Sequence, residues 1–253
     1  MRDKLGALTP AVGAVGFVVL WWLVYRTGWI DPVLLPSPGD SFKAIWDGFV
    51  GGALVKDFLI TVRRTLFAFA LAVAVAVPLG IVLGSSQRLY SSVEFVIDFF
   101  RSTPASALFP LFLVILGVGE GTKVAVAAFG AALLILFNTA YGVMNARKTR
   151  QAAARVMGAS RARVMLDVTL LESLPQTFIG MRAGVSFALV IVIVAEMFIG
   201  SETGLGHRII DAQQVFNVKE MYCSILVTGA LGYLLNLLFL LIEKKLVHWS
   251  GKA

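Results

Sequence analysis

One carboxylate stands deep in an apolar run: Glu196, near one end of residues 174–200, with Arg182 near the other. Ionisable groups in such surroundings are costly and tend to mark pathways or buried pairs. Ser102, Thr103, Asn138, Thr139 and Ser186 also place hydroxyl or amide groups inside apolar stretches. With Glu196 they are candidates for lining a polar route, and hydrogen bonding between helices accounts for them equally well. Arg182 is expected to snorkel to an interface, and Asp98 and Arg101 to pair locally. Gly180 and Gly184 are spaced for a close helix crossing. The chain has two histidines and a single cysteine, Cys223. That excludes a His/Cys metal site and leaves no nucleophile–base constellation, so neither cofactor nor catalytic residue is expected.

A second group is basic and alanine-rich. Residues 147–172 contain no proline and one glycine, Gly158, among helix formers. Ala152, Ala153 and Ala154 permit close approach of a partner. Gly158, Ala159 and Ser160 permit a bend, and Ser160 is placed to cap a second short helix. Val156 and Met157 make an apolar knob ringed by Arg155, Arg161 and Arg163. A short helix–turn–helix of this make-up suits insertion into a groove on another protein.

The elements that position these groups are membrane helices. Of the 253 residues, 58% are hydrophobic and 15% charged, too apolar for one water-soluble core. Apolar runs at 5–25, 66–84, 102–119, 124–146, 174–200 and 221–242 predict six spans in one all-α domain. Pro78, Pro104 and Pro110 are expected to kink them. The first run ends in Trp21, Trp22 and Tyr25 with no small-residue cleavage site, which reads as a retained span with an aromatic belt. The formal charge of +7 follows the positive-inside pattern. With the N-terminus inside, twelve Lys and Arg fall in the inner segments, among them Arg147, Lys148, Arg150 and Lys252, and six in the outer ones. Both termini are therefore expected in the cytoplasm; Arg63 and Arg64, at the outer end of the second run, blur the tally without reversing it. No interleaving of basic and aromatic residues suggests nucleic acid.

The segment around Gly158 resembles the EAA loop of ABC importer permeases: Ala153, Ala154 and Gly158 match its spacing. Leu35–Pro38, Arg101–Pro104 running into Leu108–Phe112, Gly117–Glu120, Asn138–Thr139, Val194–Met197 and Gly200–Gly206 are similar, in order, to the nitrate, sulfonate and taurine branch of that family. The resemblance implies a type I importer fold in a bacterial inner membrane. It implies a second permease subunit and two cytoplasmic ATPases, which hold the ATP and Mg and dock on the loop. It also implies a periplasmic or lipid-anchored binding protein that delivers a small solute, with a sulfonate, nitrate or taurine as the expected cargo. On this reading Ala152 to Arg161 form the coupling loop and the chain itself hydrolyses nothing.

Two positions depart from the pattern. Ala152 stands where the family has Glu, and Leu171 where it has the Pro of a Leu-Pro pair. The chain is thus read either as one half of a homodimer or as the degenerate half of a heterodimer. A secondary transporter would require inverted repeats with coupling-ion carboxylates at mid-membrane. A membrane enzyme would require a clustered polar constellation within the spans. Neither is present in the sequence.

Overall fold

The computed structural model describes residues 2–247, with side chains from 12 onward. The start of the first expected span, at Leu5, and Lys252 of the charge tally lie outside the described side chains. Among the described residues the ordered elements are all helical, with no strand. The elements are α1 (Arg2–Thr27), α2 (Pro38–Val50), α3 (Ala53–Gly84), α4 (Gln87–Ser102), α5 (Phe109–Leu116), α6 (Glu120–Met144), α7 (Lys148–Val156), α8 (Arg161–Val164), α9 (Leu170–Phe198), α10 (Leu205–Gln214) and α11 (Val218–Leu246). A single 3₁₀ turn, Ala105–Leu108, precedes α5, and a π-turn, Met165–Thr169, joins α8 to α9. Among the described residues four helical runs are long and apolar enough to cross a membrane: α3, α6, the joined Arg161–Phe198 and α11.

The third expected span, 102–119, is not a single helix. It is the second arm of a pair, Gln87–Ser102 and Ala105–Leu116, bent by 93°. The residue before a proline is driven out of the helical region, and Thr103, ahead of Pro104, is extended (φ −81°, ψ 125°). Pro110 opens α5, where its missing N–H costs nothing. Pro78 stays inside a continuous α3. The second span is longer than the apolar run at 66–84 because α3 begins at Ala53 and carries Asp57, Arg63 and Arg64 within it.

Packing centres on α6, with α3 on one side and α9 on the other. Along α3 the buried residues Ala68, Ala72, Ala76, Gly80 and Gly84 recur every fourth position, a stripe of small side chains that lets the α6 backbone come close. A Cβ at Gly80 would lie 2.7 Å from Thr139 Cβ of α6. On the other side, Gly180 and Gly184 of α9 form the expected close crossing: Cβ atoms there would lie 2.5 Å from Asn138 Cβ and 2.7 Å from Ile135 Cγ1. Lipid tails compete for apolar contact as well as Leu does, so close backbone approach is what holds such helices together. Aromatic pairs fasten the remaining helices. Phe69 meets Phe239 of α11 edge-on at 4.9 Å, and Trp21 of α1 stacks on Tyr222 at 5.9 Å while donating to the Pro36 carbonyl.

Candidate functional site

α3 and α6 run parallel and α9 antiparallel to both, since Gly84 meets Val143 while Gly142 meets Ser173 and Arg64 meets Glu196, so two ends are defined. At one, α3 and α6 finish and the 147–169 elbow stands. At the other, about 30 Å away by the rise of α3 from Arg64 to Gly84, lie Arg64, Glu120 and Glu196.

The elbow folds as the sequence suggests. Helix α7 ends at Val156, and Gly158 turns the chain with a left-handed φ of +88°, a conformation that costs any other common residue. Ser160 caps α8 by accepting from the Arg163 N–H at 3.3 Å. Ala154 is buried, whereas Ala152, Ala153 and Gly158 are exposed. Val156 and Met157 are 89% and 80% exposed, so among the described residues nothing covers the apolar knob. Arg155 and Arg161 are also exposed, beside half-buried Ala159. The elbow is tied back by Glu172, which accepts from the Arg147 N–H and from Arg150 Nη1 at 2.8 Å. Gln151 adds a 3.2 Å bond to Thr169. A carboxylate therefore braces α7 from α9, although position 152 carries none.

The opposite end holds a buried ionic cluster that the sequence reading did not assemble. Arg64 is 3% exposed. Its guanidinium donates to both oxygens of Glu120, to Glu196 Oε1 at 2.7 Å and to the Thr203 carbonyl at 2.7 Å. Glu196 is 1% exposed; Thr61 Oγ1 lies 2.9 Å from each of its oxygens, and the Gly206 N–H donates to Oε2 at 2.9 Å. Lys123, 3% exposed, bridges Glu120 at 3.2 Å and Ser201 at 3.1 Å. Charges buried this deeply persist only when paired and hydrogen-bonded, and here every one is. Gly204, at φ +118°, has no room for a Cβ against the Glu196 carboxylate. Beside the cluster, Arg208 of α10 pairs with Glu220 and, at 3.0 Å, with Asp57. Burial opposes charge on Arg208, but the bonds to Glu220 and Asp57 outweigh it and push its pKa up.

Glu196 is held by Thr61 and Arg64 of α3 and by the Gly206 N–H, which is the buried-pair alternative among the readings its sequence position allows. Arg182, with a third of its side chain exposed, reaches Glu243 of α11 at 3.6 Å. Asp98 and Arg101 do pair, at 3.4 Å. The other candidate pathway residues do not converge within one chain. Ser102 is exposed at the α4 end, and Thr103, half-buried at the bend, bonds to the Phe99 carbonyl. Asn138 donates to the Leu134 carbonyl and accepts from Gln176 at 2.8 Å, joining α6 to α9. Thr139 is buried at the Gly80 contact, and Ser186 bonds to the Arg182 carbonyl of its own helix. Among the described residues no group of three or more His, Cys, Asp and Glu is placed to hold a metal.

Several apolar helices long enough to span a bilayer, one broken pair and a basic elbow at one end define a multi-pass membrane protein. Comparison with known proteins specifies the class. Residues 76–249 match the family model described as binding-protein-dependent transport system inner membrane component. A probable ABC transporter permease protein of Brucella abortus is 33% identical over 98% of this chain and 96% of its own length. The taurine transport system permease protein of Escherichia coli is 26% identical over 97% of this chain and 91% of its own. The bicarbonate transport system permease protein of Synechococcus elongatus is 27% identical over 93% and 88%. A chain from inward-facing conformations of the MetNI methionine ABC transporter superposes with a TM-score of 0.65, is 19% identical, and covers 81% of this chain and 95% of that one. The chain belongs to the binding-protein-dependent ABC importer permeases, and its fold is that of a type I importer.

Proposed function

We propose that this chain lines, with a second permease subunit, the inward route of a bacterial inner-membrane importer for a small oxyanion-bearing solute. Its elbow, Ala152 to Arg161, docks on an ATPase. Two cytoplasmic ATPases supply the ATP and Mg chemistry, a binding protein outside delivers the solute, and both termini face the cytoplasm. The observation that carries the docking role is the elbow itself. An 89% exposed Val156 and an 80% exposed Met157 immediately precede the left-handed Gly158 where two spans end. An apolar knob ringed by arginines fits a groove on a partner protein. The oxyanion cargo is supported by relatives named for taurine and bicarbonate transport.

The test is a proteoliposome reconstitution with the ATPase and the binding protein. Gly158→Arg meets open space within the chain and forces a left-handed arginine costing about 1–2 kcal/mol. It is expected to leave the permease folded and to abolish solute-stimulated ATP hydrolysis; unchanged stimulation counts against the docking role. Mass spectrometry of the purified complex counts the distinct permease chains, and one kind only is expected. Binding assays on the binding protein identify the cargo.

A further inference from the structure

At the elbow end, a pocket of about 270 Å³ opens between the finish of α3 and α6 and the inner side of α7 and α8. Three cations line it: Lys148, Arg155 and Arg161. Gln87 and Gln151 add amide groups, while Met144 and Val164 supply an apolar wall. No Asp or Glu is among its lining residues. None of the three cations has an acidic partner within 4.0 Å among the described residues, whereas nearby Arg150 is paired with Glu172.

Like charges gathered around one concavity with no neutralising carboxylate repel one another, and an anion relieves that repulsion. The level of the pocket narrows the choice of anion. Gly84 and Val143 belong to the last turns of two membrane-crossing helices, so the pocket lies at the depth of lipid headgroups, with an apolar wall below a basic rim. Basic pockets between helices at that depth suit phosphate-bearing headgroups. We propose that this pocket binds a phosphate group, carried by an anionic phospholipid, at the root of the elbow. The site shares Arg155 and Arg161 with the ring around the outward knob of Val156 and Met157, and so rests on the proposed docking role of the elbow. A bound headgroup bridges α7 and α8 to the span ends, and so anchors the elbow at its base.

The test uses the full chain in nanodiscs of phosphatidylcholine alone or an equimolar mixture with phosphatidylglycerol. Lipids retained after detergent extraction are read by native mass spectrometry. Wild type is expected to retain phosphatidylglycerol selectively. K148Q/R155Q is expected to lose that retention by roughly 25-fold, since each of the two basic residues near an anionic headgroup is worth roughly a fivefold change. R150Q/R163Q removes the same charge from the same elbow outside the pocket and is expected to keep most of it. Thermal unfolding in phosphatidylcholine nanodiscs, with inorganic phosphate against chloride at matched ionic strength, separates the sources. Stabilisation by phosphate that K148Q/R155Q abolishes, without selective lipid retention, assigns the site to a free anion. Equal losses in the two double variants, or no response to either probe, overturn the proposal.

Discussion

The buried cluster offers the sharpest test of how this bundle is held closed at the end remote from the elbow. Arg64→Met keeps the bulk of the side chain and removes its donors. Glu120 is half-exposed and retains Lys123 at 3.2 Å and Arg63 at 4.0 Å. Glu196 has a fully buried side chain and, among the described residues, no other cation, so the substitution leaves an uncompensated carboxylate in the interior. Breaking one side of a buried pair costs about 3–5 kcal/mol. For a chain of this size that lowers the midpoint of thermal unfolding by roughly 6–20 °C, at about 2–4 °C per kcal/mol. Glu196→Gln is milder, about 1–2 kcal/mol, because the amide still accepts from Thr61 or Gly206 and Arg64 keeps Glu120. The double variant R64M/E196Q removes the stranded charge. It is expected to be about 2 kcal/mol more stable than the sum of the single losses allows. The assay is thermal unfolding of the purified chain in detergent, followed by tryptophan fluorescence. Equal midpoints for R64M and R64M/E196Q, with R64M within about 1 kcal/mol of wild type, would refute the view that Arg64 is there to neutralise Glu196.

Other positions give independent checks. Gly180→Leu drives its first carbon to 2.5 Å from Asn138 Cβ and is expected to cost about 1–3 kcal/mol by overpacking the α6–α9 contact. The same unfolding assay reads it, and Gly13→Leu, which meets nothing within 4 Å, serves as the control. Phe216 is 80% exposed and left-handed at φ +53°. Phe216→Asn is expected to be neutral or to stabilise by about 0.5–1 kcal/mol, since asparagine tolerates that conformation; a lowered midpoint would show that the ring has an unrecognised partner.

Hydropathy alone revealed the multi-span character, because a membrane helix needs only length and apolarity. It failed at 102–119 for a local reason: an apolar window averages across Thr103 and Pro104, which set the 93° bend. The elbow was legible because its signals are short-range, with Gly158 for the turn and Ser160 for the cap. The brace from Glu172 was missed, since it closes across a turn through a residue that looked merely helical. The ionic cluster was out of reach for a different reason. Arg64, Glu120 and Glu196 are separated by 56 and 132 positions at their bonded contacts, and no periodicity links them. In the charge tally Arg64 only blurs the count. The usable signal was an arginine at the head of an apolar helix, where a charge without a partner is costly. The stripe from Ala68 to Gly84 was visible at four-residue spacing, but small residues spread through a long apolar helix do not name the neighbour they admit.

The run from Arg161 to Phe198 has a consequence for movement. Elbow and closure meet on one continuous helical rod of 38 residues, about 57 Å long at 1.5 Å per residue. Pivoted at its foot, such a rod sweeps its far tip by about 5 Å for a tilt of only ~5°. Tilting it therefore carries Glu196, two residues from its end, along an arc wider than a hydrogen bond is long. The grip on Arg64 and Thr61 cannot survive that sweep unless α3 travels with it.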